Sequence, residues 1–262
     1  MKVKLLSGTK NPDMVIASAG KLCYSQVGVE EISKKLTQEE IDRFINMLAA
    51  IGHESPLEHV SYSFAVEGIS RILEIQLVRH RIASYSIQSG RYVKRDNPEF
   101  IKPERIKNNK VASKMFDDIA KKSAEAYNNL FLVLMLELIG YTEDEIEKIS
   151  LDEAANLVYK FYEEDIKKYK KFEKMAIEDA RYVHLQSIGV KIVFTMNLRS
   201  LINFTRHRCC NRAQTEIRTL AWKLVELIEN DCPTLGKNLG APCQFGKCPE
   251  GSMCCGVPYE KR

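Results

Sequence analysis

Three features of the sequence predict an α+β fold. Residues 60 to 66 set Val60, Tyr62, Phe64 and Val66 against Ser61, Ser63 and Ala65, the two-residue period of a strand with one buried face. Residues 190 to 196, Val190-Lys191-Ile192-Val193-Phe194-Thr195-Met196, form an apolar, β-branched run suited to a central strand. Between them, residues 93 to 179 are rich in lysine and glutamate and repeat apolar side chains at helical spacing, as in Phe131, Leu132, Leu134, Met135, Leu138 and again in Ala154, Ala155, Leu157, Val158, Phe161, Tyr162. At 262 residues and 45% hydrophobic content, such a chain can bury one sizeable core, as one large domain or one domain with an appendage.

Taken in order, Val3 to Leu6 reads as a short first strand, and Asp13 to Cys23 as a helix with Val15, Ile16, Ala19, Leu22 and Cys23 at apolar spacing. Thr37 is a good N-cap, and Glu40 at the third helical position completes a capping box, because each side chain can satisfy an orphan backbone N–H of the first turn. That helix carries Ile41, Phe44, Ile45 and Leu48 and ends at Gly52; Pro56 blocks its simple continuation through His53 to His59. Glu67-Gly68 is expected to end the strand of residues 60 to 66. Ser70 is then expected to cap a helix with Ile72, Leu73, Ile75, Leu77 and Val78, which delivers Gln76 and Arg79 on neighbouring turns of one face. Gly140-Tyr141-Thr142 breaks the helical block, Asp152-Glu153 suits the start of its next helix, and Asn197-Leu198-Arg199 opens a helix after the second strand run.

The chemistry concentrates in Arg79-His80-Arg81-Ile82-Ala83-Ser84-Tyr85-Ser86-Ile87-Gln88-Ser89-Gly90-Arg91-Tyr92. Guanidinium forks, serine hydroxyls and glycine-freed amides are the donors that surround a phosphate or carboxylate. Taken alone, the triplet is also compatible with a solvated charged face. As a cradle it opens at a helix C-terminus, where the helix dipole repels an anion, so the arginines must supply the attraction.

The formal net charge of +4 is mild, and the bases cluster at 79–95 and 199–212, which favours small anionic ligands in a cleft. No aromatic RNA-binding pattern, helix-turn-helix or finger spacing accompanies them, so no nucleic-acid partner is expected. No apolar run approaches a membrane span, and Met1 to Ser7 is too short in its apolar part for a signal peptide; no membrane association and a cytoplasmic location are expected. The lysine run at 167 to 171 reads as solvated surface.

His53, Glu54, Glu58 and His59 include metal-ligand types, but their histidines are six apart and do not share a helical face as in HExxH; an ordinary structured loop is the alternative. Eight cysteines without a leader do not suggest a disulfide framework. Cys209-Cys210 reads as small packed side chains. The tail spacing Cys243-x4-Cys248-x5-Cys254-Cys255 admits a structural zinc but is looser than paired CxxC motifs, so no metal is assigned. None of the cysteines sits where a nucleophile is demanded.

The run from Arg79 to Tyr92 resembles the RHRxxSxxxxSxRY element of the flavin-dependent thymidylate synthases, with Arg79, His80, Arg81, Ser84, Ser89, Arg91 and Tyr92 in register. Further elements follow in the family's order: Gly52 to His59, Asn197-Leu198-Arg199-Ser200-Leu201-Ile202-Asn203-Phe204, and Arg208 to Glu216. The resemblance spans roughly residues 1 to 235 and implies a catalytic domain over 1–235 followed by a Cys-rich C-terminal tail, 236–262. It implies a central, mostly antiparallel sheet flanked by helices, a long helical insertion, and a homotetramer with shared flavin sites. It implies conversion of dUMP to dTMP with methylenetetrahydrofolate as one-carbon donor, reduced FAD as hydride donor and NADPH as reductant.

By the same resemblance, FAD is held by His53, Ser55, Arg79, His80, Arg81, Ile87, Asn197, Arg199 and Asn203. The dUMP site draws on Gln76, Arg79, Gln88, Ser89, Gly90, Arg91, Arg181 and Arg208, and Arg208 is the catalytic residue that polarises the uracil ring. The chain departs from the pattern after Arg181, where His184-Leu185 replaces the usual Leu-Pro and Val190 stands at an expected polar position. That departure keeps open a flavin- and nucleotide-binding homologue with reduced or lost turnover.

Overall fold

In the computed structural model, which describes residues 1–259, four strands form one sheet in the order β1-β2-β4-β3: β1 Lys2–Gly8, β2 Ser61–Ser70, β3 Ser84–Ile87 and β4 Gly189–Asn197. The last three residues of the expected 236–262 tail lie outside the described residues. The chain divides into two compact units: one holds Met1–Ile69, Leu73–Ile87 and the chain from Lys191 onward, the other Ser70–Ile72 and Gln88–Val190.

The first unit carries nearly all of the sheet. β1 pairs antiparallel with β2, Val3 opposite Val66 and Leu5 opposite Phe64, with an irregularity between Leu5 and Ser7. β3 pairs antiparallel with β4, Tyr85 opposite Phe194 and Ile87 opposite Ile192. The alternation expected of residues 60 to 66 is realised: Tyr62, Phe64 and Val66 are fully buried, and the Phe64 and Phe194 rings lie 5.4 Å apart. On the other face of the same two strands, the hydroxyls of Ser63 and Thr195 meet at 2.7 Å.

One expectation needs correction here. β2 does not end at Glu67-Gly68 but continues to Ser70, because Gly68 adopts φ +67 and bends the strand without breaking it. Ser70 is the last strand residue, and α4 (Arg71–Leu77) follows with no intervening loop. The strand Ser84–Ile87, inside the polar stretch, was not expected at all; its Tyr85 and Ile87 are the half-buried alternate residues of a segment too short to show a period.

Around this sheet lie α1 (Pro12–Leu22), α2 (Val29–Lys35), α3 (Gln38–Ile51) and, after β4, α10 (Leu198–Arg208), α11 (Thr215–Asp231) and α12 (Pro233–Gly236). α3 starts on the reciprocal Thr37–Glu40 capping box and stops at Gly52 in a left-handed conformation, φ 71. α10 is capped by Asn197, whose Oδ1 accepts from the Ser200 N–H at 2.8 Å.

The second unit is helical, as the periodicity of 93 to 179 predicts: α5 (Glu104–Lys107), α6 (Lys110–Ile139), α7 (Glu143–Ile146), α8 (Leu151–Glu164) and α9 (Ile166–Ala180). Asn109 caps α6 through its Oδ1, and Gly140 at φ 109 ends it. α8 begins at the Ser150 cap, just before Asp152-Glu153. The core of this unit is built from Tyr127, Phe131, Met135, Ala154, Val158 and Ile177. Among the described residues, no helix is long and apolar enough to cross a membrane.

Candidate functional site

In the first unit, the segment after α4 meets the start of α10 around an open cavity of about 510 Å³. Its lining includes Arg79, His80 and Arg81 from one segment, Asn197, Arg199, Asn203 and Arg206 from the other, and Glu54 and Glu58. The size falls in the range of small-molecule sites, about 300–1,000 Å³. The capping of α10 explains part of the placement: with Asn197 pinned to the first turn, Arg199 and Asn203 are carried on successive turns of a helix whose apolar side, Leu198, Leu201, Ile202 and Phe204, is buried.

The arginines are not bare. Arg199 donates from Nε to Glu54 Oε2 at 3.3 Å and from Nη1 to Glu58 Oε1 at 2.5 Å, and Arg206 Nη1 reaches Glu54 Oε1 at 3.3 Å. The hydrogen bond that Arg199 donates to Glu58, and then the charge of Glu58, hold the Arg199 pKa above the ordinary arginine value. These side chains are half-exposed, so each pair is worth little and yields to a better-placed anion.

Arg208 closes α10, outside the lining of this cavity, and donates from Nε to Nε2 of His80, which does line it, at 3.1 Å. His80 packs edge-on to Phe204, with centroids 4.9 Å apart. Burial first, then the charges of Arg208 and His207, push the His80 pKa down to about 4, so its imidazole is neutral at pH 7 and can accept the arginine's hydrogen bond. Burial also lowers the Arg208 pKa, the mark of a cation partly stripped of water. No other hydrogen bond or ion pair holds Arg208 among the described residues.

The second unit has its own cavity, about 450 Å³, bordered by Arg71, Gly90, Arg95, Tyr127, Arg181 and His184 among others. Arg181 is steadied by a bond from Nε to the Glu178 carbonyl at 3.1 Å, and Arg95 Nη1 donates to the Gly189 carbonyl at 2.7 Å. Arg91 pairs through Nη2 with both oxygens of the Glu178 carboxylate, at 2.8 and 3.0 Å, while its backbone N–H donates to Ser89 Oγ at 3.2 Å. The His184 ring stacks on Tyr127 at 4.4 Å, and both its nitrogens are buried without a hydrogen-bond partner. Burial, then Arg95, push its pKa down to about 4.

Both histidines make acid stability a testable property. An unfolded chain protonates them near the ordinary value of 6.5, whereas the folded protein resists until about 4. Their contribution is therefore fully present above pH 6.5 and is lost as pH falls from 6.5 through 4, by up to roughly a tenfold change in the folding equilibrium per pH unit for each histidine. Urea midpoints measured across this window should fall with pH, and His184→Phe should flatten the slope.

Of the residues expected to hold FAD, Arg79, His80, Arg81, Asn197, Arg199 and Asn203 border the first cavity. His53, Ser55 and Ile87 do not: His53 sits edge-on to Tyr24 at 6.5 Å, Ser55 is exposed at the start of a 3-10 turn, and Ile87 ends β3. Of those expected at dUMP, Gln76 donates to Gln214 in the first unit, which also holds Arg79 and Arg208. Gln88, Ser89, Gly90, Arg91 and Arg181 belong to the second unit, where Gly90 and Arg181 border the cavity. Sequence reasoning weighed Glu54 and Glu58 only as metal ligands and missed them as partners of Arg199. It missed Arg71 and Arg95 altogether, since neither sits in a recognisable pattern.

Residues 4–234 match the family described as "Thymidylate synthase complementing protein". Over 262 residues the chain is 47% identical to the flavin-dependent thymidylate synthase of Clostridium tetani, with 100% of this chain and 96% of that protein covered. It is 36% identical to that of Geobacter sulfurreducens, over 99% of this chain and 96% of the relative. The enzyme of Thermococcus onnurineus matches at 36%, over 97% and 91%. Likeness at this level along essentially the whole of each protein leaves one assignment: the chain belongs to the flavin-dependent thymidylate synthase family.

Proposed function

We propose that the protein is the methyltransferase that converts dUMP to dTMP, with methylenetetrahydrofolate as one-carbon donor, FAD as the flavin and NADPH as its reductant, and without a cysteine nucleophile. The observation that carries this reading is the partly desolvated Arg208, bonded to a neutral His80 that lines a cavity together with Arg79, Arg81, Arg199 and Asn203.

The residues present suit an FAD: guanidinium forks match the pyrophosphate oxygens, and the amides of Asn197 and Asn203 suit a ring edge. When bound, the flavin supplies the hydride that completes the new methyl group. The chain's own part is electrostatic. Uracil gains negative charge as its C5 becomes nucleophilic, and a fixed cation in a water-poor position stabilises that charge without having to reorganise. His80 holds Arg208 in place by accepting from Nε, which leaves the Nη side of the guanidinium to face a ligand. Arg91 and Arg181 are assigned to the nucleotide phosphate, and Arg91 must release or share Glu178 to grip it. Cys209 is fully buried, and burial raises the pKa of Cys232, both of which favour a route without a thiolate attack on uracil.

Gln76, Gln88, Ser89 and Gly90 complete the proposed nucleotide site, and His53, Ser55 and Ile87 the proposed flavin site. His53 and Ser55 stand apart from the cavity in their own chain, which fits a homotetramer in which they complete the flavin site of another subunit. Residues 1–235 are proposed as the catalytic domain, 236–262 as an appended tail, and the cytoplasm as the location.

Tritium release from 5-tritiated dUMP tests the reading. Purified protein should be yellow and should release tritium only when the folate, the flavin and a reductant are present. A colourless protein that gains no flavin absorption on FAD addition overturns it. A yellow protein that binds dUMP but releases no tritium supports the other reading, a homologue without turnover, for which the unusual His184 beside Arg181 is the motivating observation.

A further inference from the structure

The first unit has a further cavity of about 610 Å³ that shares His80, Asn203 and Arg208 with the proposed flavin and nucleotide residues and is also bordered by Cys210, Cys243, Cys248, Cys254 and Cys255 together with Arg212. The tail that carries most of these thiols is fastened to the turn after α10. Arg212 Nη1 binds Glu250 Oε2 at 2.8 Å and the Met253 carbonyl at 3.0 Å, and Asn211 Nδ2 donates to the Val257 carbonyl at 3.0 Å. Tyr259 donates its hydroxyl to Asn211 Oδ1 at 2.7 Å and rests its ring on Trp222, with centroids 5.0 Å apart.

Within this fastened tail the thiols are not equivalent. Cys243 Sγ accepts the Tyr259 N–H at 3.3 Å, and Cys255 donates to the Val257 carbonyl at 3.4 Å. Cys248 and Cys254 border the same cavity on either side of the turn at Gly251–Met253, close enough that each perturbs the other's ionisation. The Gly256 N–H first, and then Cys248, lower the pKa of Cys254 by stabilising its thiolate. Cys254 is exposed, so a reagent in solution can reach it. Among the described residues, no group of three or more His, Cys, Asp or Glu side chains is arranged to hold a metal ion.

We propose that Cys248 and Cys254 form an exchangeable dithiol, which small-molecule disulfides of the glutathione type oxidise to a disulfide that closes the segment Pro249–Met253. The Cys254 thiolate attacks one sulfur of the small disulfide, forming a mixed disulfide and expelling one thiolate, which takes a proton from solvent. Cys248 then loses its proton to solvent and attacks the Cys254 sulfur, expelling the second small thiol. Two protein thiols are oxidised, one small disulfide is reduced to two thiols, and no other oxidant is needed. The sulfurs start at the border of one cavity, six residues apart across a single turn, and must close to about 2.05 Å. Glu250 and Met253, the anchors of Arg212, lie inside the closed segment, so oxidation fixes the tail against the turn that follows Arg208.

The test uses the reduced, desalted full-length protein incubated with oxidised glutathione, read by intact mass and non-reducing peptide mapping, and is independent of flavin binding or turnover. The expected product is lighter by two hydrogen atoms, retains no glutathione, and links Cys248 to Cys254. Cys248→Ser should instead trap one glutathione on Cys254, and Cys243→Ser should leave the native bond forming. A wild-type product that keeps glutathione adducts, or a bond that maps to other cysteines, overturns the proposal. So does zinc that copurifies with the chain and must be chelated before any exchange occurs.

Discussion

Replacing Arg208 with alanine should lower kcat by about a hundredfold, comparable to the loss of one preorganised donor from an oxyanion site, while Arg91→Ala should act mainly on the KM for dUMP. The two cations differ in what they face. Arg91 is a half-exposed side chain paired with Glu178, and its proposed ligand, the phosphate, carries the same charge before and during reaction. Its loss removes binding uniformly from ground state and transition state, so k-cat is largely kept. Arg208 is partly desolvated, is bonded at Nε to a neutral imidazole, and is proposed to face a ring whose charge grows along the reaction. Its contribution should therefore be larger in the transition state than in the ground state. Lysine at 208 should restore only part of the rate, because a point charge lacks the planar fork and cannot keep the Nε bond to His80. Steady-state kinetics at saturating flavin decide the matter: an Arg208→Ala enzyme altered only in KM would sink the assignment.

The largest stability effect is expected at the centre of the sheet. Phe64 is fully buried on β2, 5.4 Å from Phe194 on β4 and 6.3 Å from Tyr62 along its own strand. Phe64→Ala removes a ring from a contact that neighbouring strands cannot close over, and such truncations cost about 3–5 kcal/mol. Phe64→Leu should lose clearly less, since most of the volume stays. Urea unfolding should show a lower midpoint with an unchanged slope; an alanine variant as stable as the parent would mean that the aromatic contact does not hold the sheet.

What the sequence discloses of this protein is what is local. The Thr37–Glu40 box, the alternation at Tyr62, Phe64 and Val66, the Asn197 cap and the helical block up to Ala180 can each be read because partner and signal lie within a few residues. The motif at Arg79 to Arg81 is legible for the same reason, and with Asn197, Arg199 and Asn203 it foretells one wall of a cavity. The rest depends on partners far along the chain. β3 exists because β4, more than a hundred residues later, offers it Phe194 and Ile192. The pairing of Glu54 with Arg199 and Arg206 spans a similar distance. The continuation of β2 through Gly68 depends on Met1 and Lys2 alongside it, where a glycine read alone signals a stop. His184, noticed only as a departure, proves to be stacked on Tyr127.

The acidic pair facing Arg199 has a further consequence. Glu54 and Glu58 are built-in counterions: with Arg79, Arg81, Arg199 and Arg206 on the same wall, two of the four positive charges are already answered before any ligand arrives. Capture of an anion there is an exchange of one negative partner for another, not the neutralisation of an empty cationic basin. The salt dependence of that capture should follow the residual charge of about two and not the count of arginines, so affinity should decline gently as ionic strength rises.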